Sequence, residues 1–335
     1  MPAFIKYIAY HLPETKLTNE DLSAIFPKLS AAGIYKITGI HERSIAAEDE
    51  LSSDLAIIAA EKLFREKNLD RSTVDHLIFC TQGPDYFSPT TACVMQNRLN
   101  LSTNTGALDI NMGCTGFIYS LSMAKGLIET GAAKNVLLLN CSALVNHIHP
   151  LDKSSRILFS DAATAVLVSE RPENSIGNFV FGTDGAKANI MMLKAGAFRH
   201  PFSTTDLSVV EDEFGNFSTP AHFNMKGDEV LNFSMDVVPG LVNNILEKNN
   251  MKMEDIDLFI FHQANLYLMK LLKKLIKIPD EKFCINLAYT GNTVSCTIPI
   301  ALKDQMEKGR IKTGDKVMLV AFGIGASWAG TIITI

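Results

Sequence analysis

No two cysteines stand in a CxxC pair, and no Cys/His cluster has the spacing of a zinc site. The six thiols, Cys80, Cys93, Cys114, Cys141, Cys284 and Cys296, are scattered and mostly flanked by apolar residues. They read as reduced thiols of an intracellular protein rather than as a disulfide framework. Long hydrophobic runs are missing too: none approaches the roughly 20 residues that span a bilayer. The opening stretch MPAFIKYIAYHLPETK has Pro2 at once and Lys6 inside its short apolar run, so it lacks the apolar core of a signal peptide. Positive charge is not in excess, since 31 Lys and Arg face 36 Asp and Glu for a net charge of −5. A basic surface for nucleic acid is therefore not expected. These absences predict a cytoplasmic protein with no membrane, nucleic-acid or metal partner.

What the chain does have is apolar content, 47% of 335 residues, enough for one large or two medium domains. Short β-rich runs alternate with helical patterns. Strands are expected at 74–80, 106–111, 135–140, 256–261, 283–287, 316–322 and 328–335. Helices are expected near 53–67, 90–99, 114–130, 228–249, 264–277 and 293–308. Such alternation predicts an α/β fold with sheets buried between helix layers. Residues 195–224 mix Pro, Gly, Ser and acids, and read as a long excursion near a surface or cleft.

The chain also resembles itself. STVDHLIFCTQ (72–82) is similar to EDIDLFIFHQA (254–264), which aligns Phe79 with Phe261 at an offset of 182. The segment from Gly113 is similar to that from Gly291, and Val136 aligns with Val317 at an offset of 181. Three matches in one order at nearly one offset predict a duplicated βα unit. Cys114 then falls opposite Asn292, and Cys80 opposite His262. Packing about a pseudo-twofold axis would bring Cys114, His262 and Asn292 to one site.

Cys114 stands where a strand hands over to a helix. Unpaired N–H groups and the helix dipole there favour thiolate, the nucleophilic form. Thr115 and Gly116 leave room for an acyl group. The alternative is a buried small hydrophobe. His262 ends an apolar strand at a strand–helix switch, where α/β proteins place ligands, though a lone histidine there also serves structure. Asn292 follows Gly291 before a helix and equally suits a cap or turn.

Taken together, Cys114 in GCTGF, His262 in HQAN and Asn292 in GNT, followed by AFGIGASW, resemble the β-ketoacyl-acyl carrier protein synthase III family. TGIHERSIAAEDE (38–50), FSDAATAVLV (159–168) and MKGDEVLNFS (225–234) extend the match over nearly the whole chain. The resemblance implies the thiolase fold, with duplicated halves in a five-layered α-β-α-β-α sandwich. It implies an N-terminal half, 1–172, carrying the cysteine, and a C-terminal half, 173–335, carrying the histidine and asparagine. It further implies a homodimer and a Cys114–His262–Asn292 triad, without metal or redox cofactor. Cys114 would take an acyl group from a thioester. Malonyl-acyl carrier protein would then lose carbon dioxide, and its carbanion would attack the acyl-cysteine. His262 and Asn292 would stabilise the enolate, while the N–H groups of Cys114 and Ile324 would hold the first oxyanion.

Some positions depart from the family pattern. Family members carry a Trp and an Arg upstream of TGI for the adenine end of coenzyme A, where this chain has Gly33 and Ile37. A third usual Arg is replaced by Lys153, with Arg156 close by. The donor therefore stands open between acyl-coenzyme A and acyl-acyl carrier protein. Beyond HQAN, where the family often has a docking Arg, come Leu266 and Tyr267, then Lys270, Lys273, Lys274 and Lys277 on one broad helical face. That face suits an acidic carrier protein, or is an ordinary solvated face. PDYFSPTTAC, with Tyr86 and Phe87 ahead of Ser88 and Pro89, is expected near the acyl pocket; Phe87, Lys153 and Arg156 are its candidates. Two other functions compete: a non-elongating acyltransferase acting on a hydroxyl or amine, and a non-catalytic carrier-binding subunit. The intact triad favours condensation over both.

Overall fold

The computed structural model describes residues 1–173 and 175–335. The first half of the chain runs through β1 (Ala3–His11), β2 (Thr15–Thr18), α1 (Asn19–Ile25), α2 (Ala31–Thr38), β3 (Glu42–Ile45), α3 (Ser52–Lys67) and β4 (His76–Cys80). It continues with α4 (Thr91–Arg98), β5 (Gly106–Ile110), α5 (Gly116–Glu129), β6 (Asn135–Ser142), α6 (Lys153–Arg156) and β7 (Ala162–Glu170). The second half holds β8 (Val180–Thr183), β9 (Met191–Leu193), β10 (Val210–Glu211), β11 (Phe217–Ser218), β12 (Phe223–Met225) and α7 (Gly227–Lys248). It ends with β13 (Leu258–Phe261), α8 (Leu266–Ile276), α9 (Thr297–Glu307), β14 (Lys316–Gly323) and β15 (Ser327–Thr334).

Two sheets form the frame, ordered β1-β7-β6-β4-β5 and β13-β14-β15-β8. The registers carry the duplication. β4 and β6 pair in parallel with Phe79 opposite Leu139, and β13 and β14 pair in parallel with Phe261 opposite Val320. These four residues are related by the same offsets, 182 and 181, that the sequence shows. β6–β7 and β14–β15 are both antiparallel, as are β1–β7 and β8–β15. The expected strand at 283–287 is reduced to one bridge, Phe259 to Phe283, at the place β5 occupies in the first sheet. It is followed by Leu287 and the turn into Gly291, which draws the chain away from the sheet.

α5 and α9 are apolar on nearly every side. Ile118, Leu121, Ile128, Ile298 and Leu302 share one core with residues from both sheets. A helix buried on two faces needs this all-round apolarity. α3 and α4 cover the outer face of the first sheet, and α7 and α8 lie outside the second. The result is the five-layered α-β-α-β-α arrangement. The excursion 195–224 contains the short β10–β11 pair, and β12 at its end joins β9. No helix among the described residues is long and apolar enough to cross a membrane.

Candidate active site

Cys114 lies two residues before α5, not within it, and Thr115 is the cap. The loop after β14 closes over it. A Cβ built on Gly323 would fall 2.8 Å from the Cys114 Cβ and 2.9 Å from its Sγ, so this position requires glycine. The N–H groups of Ile324 and of Cys114 itself point toward the sulfur. Thr115 Oγ1 and Ser327 Oγ meet at 2.9 Å and tie the two loops together. Burial works against the expected thiolate. Cys114 is only 8% exposed, and burial pushes its thiol up to about 12, against the pull of the two N–H groups. Desolvation disfavours the charged form more than two dipoles can restore it.

His262 follows β13, and its N–H donates to the Val320 carbonyl, which fixes it beside β14. Its ring stands edge-on to Phe322 at 5.9 Å. Burial lowers its pKa to about 3, so the imidazole is neutral at ordinary pH. Nδ1 lies 2.8 Å from Thr297 Oγ1, and Thr297 Oγ1 also lies 3.0 Å from the Val294 carbonyl. One hydroxyl proton thus has two acceptors. Turned to Nδ1, it leaves the ring proton on Nε2 as a donor; turned to Val294, it leaves Nε2 as an acceptor.

Asn292 is held by its backbone: its N–H donates to the Leu158 carbonyl at 3.0 Å, and its carbonyl accepts from Ser160 N–H at 3.0 Å. Its side-chain Oδ1 accepts from Val294 N–H at 3.0 Å. That bond orients the amide and leaves Nδ2 without a protein acceptor among the described residues. Val294 adopts φ 54°, an uncommon conformation for a β-branched residue. The 292–297 turn therefore connects Asn292 to His262 through Val294 and Thr297. Cys114, Val294, Phe322 and Phe261 belong to one buried cluster. His262 is thus linked to Asn292 through Thr297 and Val294, and Cys114 meets Gly323, the neighbour of the Phe322 ring that packs on His262.

Other candidates fare differently. Phe87 is 74% exposed and stacks on Phe198 with centroids 5.4 Å apart, outside the cluster around Cys114. Lys153 donates to the Phe214 carbonyl and so anchors the 195–224 excursion. Arg156 is turned inward: Nη1 reaches the Val145 carbonyl at 3.5 Å, and Nε is buried without a partner among the described residues. Lys270, Lys274 and Lys277 are exposed, but Lys273 pairs with Asp280 and is withdrawn from the basic face. Gly33 and Ile37 lie on α2, whose end packs against Leu266 at the start of α8. Thr297 is a site residue that sequence reasoning missed. A threonine in the first turn of a helix carries no signal until the fold brings His262 to it.

Comparison with known proteins agrees with this architecture. The family model described as 3-oxoacyl-[acyl-carrier-protein (ACP)] synthase III matches residues 108–185, and the model of that enzyme's C-terminal part matches 246–335. A β-ketoacyl-[acyl-carrier-protein] synthase III from Campylobacter curvus is 37% identical, over 97% of this chain and 95% of its own length. One from Clostridium perfringens is 36% identical over 96% of both chains. The chain belongs to the β-ketoacyl-acyl carrier protein synthase III family. A crystal structure of a 3-oxoacyl-(acyl-carrier-protein) synthase III superposes with a TM-score of 0.98 at 46% identity over the full length of both chains. The synthase III from Thermus thermophilus superposes at 0.87 with 35% identity, covering 99% of this chain and 98% of its own. The fold is accordingly the thiolase fold of these condensing enzymes.

Proposed function

We propose that this condensing acyltransferase joins an acyl group to a malonyl unit in two half-reactions, with Cys114, His262 and Asn292 as its catalytic residues. In the first, Cys114 Sγ attacks the thioester carbonyl of the donor. The N–H groups of Cys114 and Ile324 receive the oxyanion, the bond to the donor sulfur breaks, and the thiol proton leaves with the departing thiol. In the second, malonyl-acyl carrier protein loses carbon dioxide. The electron pair of the broken carbon–carbon bond moves into the thioester as an enolate. His262 Nε2–H and Asn292 Nδ2–H donate to its oxygen. The enolate carbon attacks the acyl-cysteine, the bond to Cys114 Sγ breaks as the β-ketoacyl thioester forms, and the departing thiolate takes from water the one proton that the decarboxylative condensation consumes.

What supports this reading is a histidine held uncharged by burial with Nδ1 against the Thr297 hydroxyl, and an amide that Val294 orients so that its Nδ2 is left to donate. A non-elongating transferase has no enolate to stabilise. Release of carbon dioxide from malonyl-acyl carrier protein by the acylated enzyme is the direct test, and acyl transfer without it would overturn the reading.

Membership of the family supports acyl-coenzyme A as the donor, and the residues at the expected adenine end make acyl-acyl carrier protein the alternative. Gly33 and Ile37 offer no ring or guanidinium, Lys153 is engaged by Phe214, and Arg156 is turned inward. Comparing kcat/KM for one acyl group on each carrier tests this. The exposed lysines of α8 provide the docking face. We also place the boundary between the two halves at residues 172 and 173, in the stretch between β7 and β8. A homodimer is the assembly we propose, since β5 ends its sheet unpaired and the exposed Phe87–Phe198 pair needs cover. The enzyme is placed in the cytoplasm with its carrier substrates.

A further inference from the structure

Arg43 on β3 is wholly buried, and no carboxylate pairs with it among the described residues. Burying an unpaired guanidinium is costly, so its surroundings must offer it acceptors. Nε and Nη2 both donate to the Ile157 carbonyl, at 3.0 and 2.5 Å, and Nη1 donates to Asn19 Oδ1 at 2.5 Å. Burial lowers its pKa to about 10, which leaves it charged at neutral pH. One carbonyl in particular is therefore gripped by two arms of a fixed fork.

That carbonyl begins the segment on which Asn292 is mounted. Residues 158 and 160 carry the two backbone hydrogen bonds to Asn292, and Phe159 bridges it in parallel. β3 adds a second hold, because Ser44 N–H donates to Ser160 Oγ at 2.9 Å and Asp161 N–H donates to the Ser44 carbonyl at 2.8 Å. The Arg43 stem also touches the turn from below: a Cβ on Gly291, at φ 64°, would lie 2.8 Å from Ser160 Cβ and 3.4 Å from Arg43 Cγ. Arg43 belongs to the first half of the chain and Asn292 to the second. No other buried cation links them among the described residues.

We propose that Arg43 is a positioning residue for the second half-reaction, its fork on the Ile157 carbonyl setting the segment that aims the Asn292 amide. The inference rests on the role given to Asn292 above. Cys114 is held by a different loop, 322–324, so Arg43 acts on decarboxylation and condensation and not on acylation.

The test uses the full chain and measures both half-reactions on the same preparations: acylation of Cys114 by quenched intact mass, and carbon dioxide release from malonyl-acyl carrier protein by enzyme already acylated. Arg43→Lys keeps the charge but loses the fork. It is expected to acylate within about twofold of the parent and to decarboxylate about 10- to 100-fold more slowly, the scale of a misplaced reacting group. In an Asn292→Ala background, Arg43→Lys is expected to slow decarboxylation no further, since coupled residues are not additive. Should Arg43→Lys fail to fold, Ser160→Ala loosens the same segment and is expected to give the same split. Equal losses in both half-reactions, or no loss in either, overturn the inference. If Asn292→Ala itself decarboxylates at the parental rate, the role of Asn292 falls first and takes this inference with it. If Asn292→Ala is impaired and Arg43→Lys is not, only the inference falls.

Discussion

At the residue scale, the site is built on opposed demands of burial. Desolvation holds Cys114 as a thiol and His262 as a neutral imidazole. Nucleophilicity must then be generated during the reaction, by donors fixed beforehand. Cys114→Ala is expected to abolish the acyl adduct seen by intact mass. His262→Ala and Asn292→Ala are expected to keep the adduct but to lose condensation by about 100- to 1,000-fold each, the usual cost of one such donor. Gly323→Ala should slow acylation about 10- to 100-fold, because its methyl group meets Cys114 at both Cβ and Sγ. Normal acylation by that variant would show that the 322–324 loop yields.

The same histidine predicts a pH dependence of stability. Its folded pKa is near 3 and the unfolded value near 6.5, so between those limits the unfolded chain binds the extra proton. Its contribution is neutral above the unfolded value and turns destabilising as pH falls, by about 1.4 kcal/mol per pH unit down to the folded value. Asp161, raised to about 6 by burial, works in the opposite sense over part of this range. Comparison of the parent with His262→Asn by urea unfolding isolates the histidine. The parent is expected to lose stability more steeply below pH 6, and the two slopes should coincide above pH 7.

At the element scale, α8 joins chemistry to docking. Asn265 caps it by accepting from Leu268 N–H at 2.9 Å, directly after the strand end that carries His262. Lys270, Lys274 and Lys277 lie exposed along it, while Lys273 is tied to Asp280. A Lys270→Glu/Lys274→Glu variant is expected to raise KM for malonyl-acyl carrier protein about tenfold, less so at high salt, and to leave turnover of a small malonyl thioester unchanged. Lys273→Glu should have the smaller effect on KM. Equal effects of all these changes on the small thioester would place the damage in the fold and not in docking.

At the scale of the whole molecule, two similar layers enclose α5 and α9, and the catalytic loops all lie where the halves meet. The free edge of β5 and the exposed aromatic pair Phe87–Phe198 suit a second copy of the chain. Sedimentation should give twice the chain mass, and Phe87→Asp/Phe198→Asp should weaken the association. A monomer at micromolar concentration in the parent would remove the proposed assembly.

Periodicity and motif determined much of this protein without coordinates. The buried runs of β4, β6, β13 and β14 were legible because a central strand must be apolar on both faces. The repeat offset was legible because each half needs the same strand–helix–strand unit, and the Cys, HQAN and GNT segments stood at the ends of those units. Three things were decided only by the tertiary structure. The protonation of Cys114 and His262 depends on how completely other elements exclude water. The partners of Lys153, Lys273 and Arg156 depend on how the chain folds back, over 61 residues for Phe214 and over a shorter turn for Asp280 and Val145. The contact of Arg43 with the segment that carries Asn292 crosses the two halves, that of Thr297 with His262 lies within the second, and local sequence carries no record of what a side chain meets after the chain has closed on itself.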